Sequence, residues 1–463
     1  MATDNGSWVH NSEPKHRSFP AHGSSVVTCL IFSHGRIISA SDDHSIHVYC
    51  PTTGDLLRSL EGHKGGVWAL SASKDILVSG STDRTVRIWD LTTGRCTHVF
   101  GGHTGTVRCL TIVKPEWIDV EQESGVVTKE KWPKRSVIVT GSRDHSLRVW
   151  TLPKLGEAEY HCYVSAIRDE DLDTEDVSEA EENPYHRLHL EGHDQAIRAL
   201  AARGRTLVSG SYDCSVRVWD IVTGQCKCIL TGHTGKVYSI VLDPKRNQAY
   251  SGSMDGTIRV WNLQTGQCQR ILTGHTSLVA LLGLSPSYLV SGSADTTLRI
   301  WDPDTGELKR TFAAHTGPIT CFHHDEFKVL SGSDGTLKLW NIRDGSTVVR
   351  DLLVDITGVW QVVFEGRWCV SASNKDATTM LDVWDFGSHN DDEREGPPNT
   401  TMGKRVSWRR TPERHCSTLL LDTHRKQQLP EDISSGNSEK HAFPFLVFDD
   451  VRLLTVVRLF WIK

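Results

Sequence analysis

A Gly-His pair, a Ser-Gly-Ser-x-Asp turn and a Trp-Asp pair return in fixed order along this chain, at a spacing of roughly 40 residues. The first element is found at Gly62-His63, Gly102-His103, Gly192-His193, Gly232-His233 and Gly274-His275, with Ala21-His22 and Ala314-His315 as variants. The closing pairs are Trp89-Asp90, Trp150-Thr151, Trp219-Asp220, Trp261-Asn262, Trp301-Asp302 and Trp340-Asn341. A first copy ends at Tyr49-Cys50, and a last copy, without Gly-His, ends at Trp384-Asp385, which makes eight copies. Within a copy, short alternating β-branched segments such as residues 77–81 and 85–89 flank a tight Asp turn. That pattern predicts antiparallel hairpins. A unit so small cannot bury its own faces and must stack against its neighbours.

The repeat length and strand pattern predict an all-β fold, an eight-bladed WD-repeat β-propeller over residues 15–387. A polar leader, residues 1–14, precedes it, and a tail, residues 388–463, is expected to be disordered. Residues 16–22 match residues 57–63 in register. The earlier segment should therefore be a fourth strand that completes the last blade and protects its edge. Insertions at about residues 114–134 and 155–186 read as loops, and the second carries a dense acidic run at 169–182. The first joins the first two strands of the third blade and the second joins its last two. Both should emerge on the bottom face and leave the top clear.

A net charge of −6 argues against nucleic acid as the main partner. The N-terminus lacks an apolar signal stretch, and the apolar C-terminal end carries Asp449, Asp450, Arg452 and Arg458, so no membrane association is expected. The expected location is the nucleus and cytoplasm. Lys404, Arg405, Arg409 and Arg410 read as a solvated basic stretch rather than an import signal. Several cysteines, such as Cys96, Cys226 and Cys268, fall in strand slots, and Cys226-x-Cys228 lacks a second ligand pair, so neither a metal nor a cofactor is expected. Pairs such as His63–Asp83 or His193–Asp213 resemble catalytic dyads, but a group repeated in nearly every blade cannot mark one active site. No catalytic residue is assigned.

The deviations from the repeat carry the function. The first slot of each innermost strand reads Thr28, Trp68, Arg108, Arg198, Tyr238, Ala280, Thr320 and Trp360. The slot before the turn Asp reads Asp42, Thr82, Arg143, Tyr212, Met254, Ala294 and Ser333, and the slot after it contains Arg84. Arginine enters these top-face slots only in the second, third and fourth copies. Gathered guanidiniums repel one another unless an anion joins them. Arg87, Arg148, Arg217, Arg259, Arg299 and Lys338 recur two residues before each strand tryptophan and read as structural. The non-periodic set suits a dianionic phosphate, because each planar fork can give paired hydrogen bonds of roughly 1.5–3 kcal/mol. The adjacent aromatics suit an extended Pro-containing segment.

The strings Gly65–Leu70, Leu77–Arg87, Cys96–Phe100, Thr106–Leu110, Val139–Asp144 and Glu181–Tyr185 resemble the cell-division-control F-box/WD-repeat substrate receptors of SCF ubiquitin ligases, in their fungal form. The resemblance covers about residues 15–386. It implies a non-catalytic receptor that binds phosphothreonine-Pro degrons of phosphorylated protein substrates. Arg108, Arg143 and Arg198 would hold the phosphate and Arg84 would support them. Trp68, Thr82, Thr106, Tyr212, Tyr238 and Trp360 would line the groove. That family places an F-box before the propeller, whereas a short polar leader precedes it here. Adaptor and cullin would then bind only through an F-box supplied elsewhere. The alternative is a phosphate-independent WD-repeat scaffold of a multiprotein complex.

Overall fold

The computed structural model describes residues 13–121, 127–162, 183–343 and 348–387. The acidic run and the expected disordered tail lie outside the described residues. The described residues form eight four-stranded antiparallel blades in a ring. Blade 1, for example, is Val27–Ser33, Arg36–Ser41, Ile46–Tyr49 and Leu56–Leu60, from the channel outward. The remaining innermost strands are Val67–Ser73, Val107–Val113, Ile197–Arg203, Val237–Asp243, Val279–Leu284, Cys321–His324 and Gly358–Glu365. The ring closes as the register match predicts. Lys15–Pro20 pairs with Thr378–Asp385, from Lys15 opposite Asp385 to Pro20 opposite Met380.

Each second strand is buried on both faces, because a blade is covered by its neighbour on either side. Ile76–Ser81 and Thr206–Ser211 are buried at every position but the first. The glycine of Ser-Gly-Ser lets the next blade close in. A Cβ at Gly80 would stand 2.5 Å from Val107 Cγ1, and one at Gly210 would stand 2.6 Å from Val237 Cγ1.

A hydrogen-bonded chain ties each blade's top together. In blade 2, Trp89 Nε1 donates to Ser79 Oγ (2.8 Å), which meets His63 Nε2 (2.7 Å), while His63 Nδ1 meets Asp83 Oδ2 (2.8 Å). The same chain joins Trp219, Ser209, His193 and Asp213 in blade 4, and Thr140 takes the serine's place in blade 3. Its repetition in blades 5 and 6 confirms a structural role for the His–Asp pairs. Burial pushes His63 and His103 below the ordinary imidazole value, against their aspartates, which raise it. Burial alone would raise Asp83 and Asp144. The histidine and hydroxyl partners outweigh it and hold both carboxyls well below their usual range.

The periodic arginines explain the glycine of Gly-His. Gly62 has φ 151°, and a Cβ there would lie 2.7 Å from Arg87 Nη1. Arg148 lies against Gly102 in the same way. Where the arginine is replaced the glycine is too. Blade 7 combines Lys338 with Ala314, and blade 1 combines His47 with Ala21.

Two expectations for the insertions need correction. The first insertion is not a plain loop. Glu116–Glu121 and Val127–Trp132 form an antiparallel hairpin, held to blade 4 by Arg203 Nε donating to Glu116 Oε2 at 3.0 Å. The second does not stay at the bottom. Tyr160–His161 pairs in parallel with the outer strand of blade 2, Cys96–Phe100, making a fifth strand. That strand runs upward, since Phe100 pairs with Val86, just after the top turn. Cys162 consequently reaches the top end, where its N–H donates to Val99 O and its Sγ faces Gly101. The aromatic rings of Phe100, Tyr160 and Tyr185 pack beneath it.

Two outcomes test this account. Gly62→Ala should cost about 1–3 kcal/mol in a denaturant titration, and adding Arg87→Lys should recover part of that. Losses that simply add would refute the coupling. Acid should also weaken the fold in two stages. Both the histidines and the aspartates have folded-state values below their unfolded ones, so each contributes stability at higher pH that is lost on acidification. The melting midpoint should fall below about pH 6.5 as unfolded histidines gain protons, and more steeply below about pH 4. A flat profile from pH 7 to 5 would contradict it.

Candidate functional site

The top-face slots share one backbone device. The pairing of first and second strands shifts register between Val27 and Cys29, Val67 and Ala69, Val107 and Cys109, Ile197 and Ala199, Val237 and Ser239, Val279 and Leu281, and Val359 and Gln361. The residue skipped each time is the variable one: Thr28, Trp68, Arg108, Arg198, Tyr238, Ala280 or Trp360. A β-bulge frees its extra residue from the ladder and re-aims its side chain. The repeat thus presents seven interchangeable positions around the channel mouth. In blade 7 the ladder begins only at Cys321, and Thr320 bonds across to Val359 O at 2.5 Å. The hydroxyl of Thr28 likewise bonds to Val67 O, so these two threonines brace neighbouring blades.

The turn slots are stitched to the same strand starts. Backbone N–H groups of Thr82, Arg143, Tyr212 and Met254 donate to the carbonyls of Gly66, Thr106, Ala196 and Lys236, at 2.9–3.0 Å. Arg143 is therefore fixed beside Thr106, two residues ahead of Arg108.

Five of the sequence-derived residues form two contact groups on neighbouring blades, Arg108 with Trp68 and Arg198 with Tyr238 and Tyr212. Arg108 lies with its Cζ 5.3 Å from the Trp68 ring, and Arg198 lies 5.8 Å from Tyr238. Tyr238 and Tyr212 have ring centroids 5.4 Å apart. Arg108 and Arg198 are only 4% and 3% exposed. Burial, and then the positive charge of Arg108, push the Arg198 guanidinium below its ordinary value. Cation–π contacts with Trp and Tyr offset part of that cost. Arg143, Thr82 and Arg84 stand on the exposed turns above, and Thr106 is half-buried. Trp360 stands apart, on blade 8, packed with the core shared by blades 8 and 1.

Arg84 adopts φ 71°, the left-handed region that Gly256 and Gly335 occupy at the same turn position. Lys236 lies outside the variable slots. Its Nζ lies 4.8 Å from the Tyr212 ring centroid, adding a cation to the arc. The signal was present: the residue two before each bulge reads Val26, Gly66, Thr106 and Ala196 in the preceding copies, and Lys236 puts a charge into that uncharged series. Among the described residues no cluster of metal-ligating side chains occurs.

The family model described as "WD domain, G-beta repeat" matches residues 13–50, 54–90, 184–220, 224–262, 266–302 and 306–341. A solved structure, the computationally designed Ika8 protein, aligns with a TM-score of 0.61 at 28% identity, covering 79% of this chain and 98% of that one. The chain is a WD-repeat propeller. Among natural proteins it is 44% identical over 388 residues to Cell division control protein 4 of Candida albicans, covering 82% of this chain and 54% of that protein. It is 39% identical over 399 residues to Cell division control protein 4 of Saccharomyces cerevisiae, covering 81% and 48%. It is 43% identical over 381 residues to WD repeat-containing protein pop2 of Schizosaccharomyces pombe, covering 82% and 52%. Its propeller is of the Cell division control protein 4 type. The chain spans about half the length of these relatives.

Arg84→Gly should relax the left-handed turn and raise the unfolding free energy by about 0.5–1 kcal/mol. A loss of stability in a denaturant titration would show that Arg84 is a structural residue instead.

Proposed function

We propose that the chain is a non-catalytic substrate receptor that binds phosphothreonine-Pro segments of phosphorylated proteins across the top of its propeller. The carrying observation is the pairing of Arg108 and Arg198. Both are buried, both sit on bulges of adjacent blades, and they repel each other. Two desolvated cations in electrostatic contact favour a ligand that brings negative charge between them. A phosphate dianion supplies that charge and matches the planar forks. Arg143, with Arg84 and Lys236 on neighbouring turns, would close around the remaining oxygens. The aromatic line Trp68, Tyr212 and Tyr238 would hold an extended, Pro-containing backbone.

The relatives named for cell division control support a role in which captured proteins pass to a ubiquitin ligase of the SCF type, with the adaptor and cullin bound through an F-box. Transfer chemistry would then belong to the associated subunits. The nucleus and cytoplasm are the proposed locations.

Isothermal titration with a phosphothreonine-Pro peptide and its unmodified twin decides between this reading and a phosphate-independent scaffold. The phosphorylated peptide should bind at least about 100-fold more tightly, from two or more charge-assisted bonds. Equal affinities would leave only the scaffold. Arg198→Ala should remove most of that advantage while leaving the melting midpoint unchanged or higher, because a desolvated charge is lost. Unfolding of the variant would instead assign Arg198 to the core.

A further inference from the structure

Among the described residues, blade 2 alone has a fifth strand. There the chain lays Tyr160–His161 along the outer strand Cys96–Phe100. His161 stands opposite Val99, and the Cys162 N–H donates to Val99 O at 3.0 Å. The outer strands of the other blades end their sheets and leave one side of the ladder without a partner. Side chains decide whether such an edge invites another strand. Charged and polar residues blunt it, whereas β-branched apolar residues suit a further strand.

One position of the outer strand can be compared around the whole ring, because strand pairing sets it opposite the periodic arginine or its replacement. It is polar in five blades, as Ser59, His189, Thr311, Asp351 and Ser18. It is apolar in three, as Val99, Ile229 and Ile271. Val99, beside the strand that the chain itself supplies, is 6% exposed, whereas Ile229 and Ile271 are 55% and 48% exposed. The position is therefore polar where the edge is bare and apolar where it is covered. The neighbouring blades 4 and 5 break that rule. An isoleucine half in water gains from being covered, and its branched side chain favours an extended backbone. Each of the two edges, Cys226–Leu230 and Cys268–Leu272, is five residues long. A strip about 17 Å long fits one extended segment. It offers far less than the roughly 800 Å² that each partner of a standard protein interface covers, which argues against a second copy of this chain.

We propose that the outer edges of blades 4 and 5 each accept an extended segment of a partner protein as a fifth strand. The segment lies parallel to Cys226–Leu230 or Cys268–Leu272, as Tyr160–His161 lies along Cys96–Phe100. Main-chain hydrogen bonds supply the affinity, and an apolar side chain set against Ile229 or Ile271 supplies the selection. The period of two in a strand puts every second side chain of the segment on that face. Proline would remove a ladder donor. The occupant is thus a proline-free segment with β-branched or aromatic residues at alternate positions. Both edges lie on the outer rim, away from the channel mouth, so this binding leaves the top face free and does not rest on the phosphopeptide reading.

The test is a display library of random peptides, each about eight residues long, panned on the full chain. The selected peptides should share apolar residues at alternate positions. Their binding should weaken at least about tenfold on the double variant Ile229→Ser/Ile271→Ser, because an isoleucine contact is lost. Serine holds this position in blade 1 as Ser59, so the variant should keep the parent's melting midpoint. With a selected peptide bound, amide hydrogen exchange should slow in Cys226–Leu230 or Cys268–Leu272 and stay unchanged in Cys96–Phe100. Selected peptides without the alternation, affinity that survives in the variant, or protection confined to other strands overturns the proposal. Self-association of the parent chain that the variant abolishes also overturns it, since the edges would then serve a second copy.

Discussion

The hydrogen-bonded chain from tryptophan through serine and histidine to aspartate governs everything built at the top of this ring. It spans three parts of one blade: the third strand, the second strand and the loop that enters the first. All its polar atoms are satisfied inside the blade, so it can be buried without the penalty of an orphaned donor. It also fixes the turn aspartate against the loop that leads to the innermost strand, as the Asp83 contact to the Lys64 N–H shows. The slots on either side of that aspartate then have no freedom left in the backbone. Only their side chains vary, which lets one copy carry Thr82 and the next Arg143 without disturbing the frame.

Much of the fold was legible because the repeat writes each constraint several times. Strand order, ring closure by residues 16–22 and the structural meaning of the His–Asp pairs all came from comparing copies. The candidate site was legible for the complementary reason, since Arg108 and Arg198 fall where other copies hold Thr28 or Ala280. What stayed hidden was backbone geometry. No residue type announces a bulge, so the common device that aims Trp68, Arg108 and Tyr238 emerged only from the strand register. The two-residue strand Tyr160–His161 is too short for any alternation to reveal. In blade 7 a one-residue deletion made two alignments equally good on sequence. Ser333 Oγ donates to Gly317 O, as Ser81 Oγ does to Gly65 O, which puts Asp334 rather than Ser333 in the slot. The hairpin of the first insertion did alternate, but its charged composition resembled a solvated loop.

The two classes of arginine divide labour by the same geometry. Arg87 and its counterparts in blades 2 to 6 fill the volume that a side chain on the Gly-His glycine would need, so each belongs to the frame of its own blade. Arg108 and Arg198 are confined to two neighbouring bulges, where the aromatic rings of Trp68 and Tyr238 replace water as their surroundings. The first arrangement recurs from blade to blade and contributes to the scaffold. The second is lopsided, and the phosphate-binding proposal rests on that asymmetry.

The strand that closes the ring has a consequence for biogenesis. His16 and Asp382, joined at 2.9 Å, are 366 residues apart in sequence. A ribosome makes the first of these partners long before the second. Seven blades can zip up locally as they emerge, since their contacts are between near neighbours. The segment 15–20 must wait, unpaired and extended, until the last blade exists, and loop-closure entropy then has to be met in one step. During that interval the molecule carries two complementary sticky edges, one at each end. Two incomplete chains could join through them head to tail. The final strand pairing is thus what distinguishes a closed ring from an open one with two exposed edges.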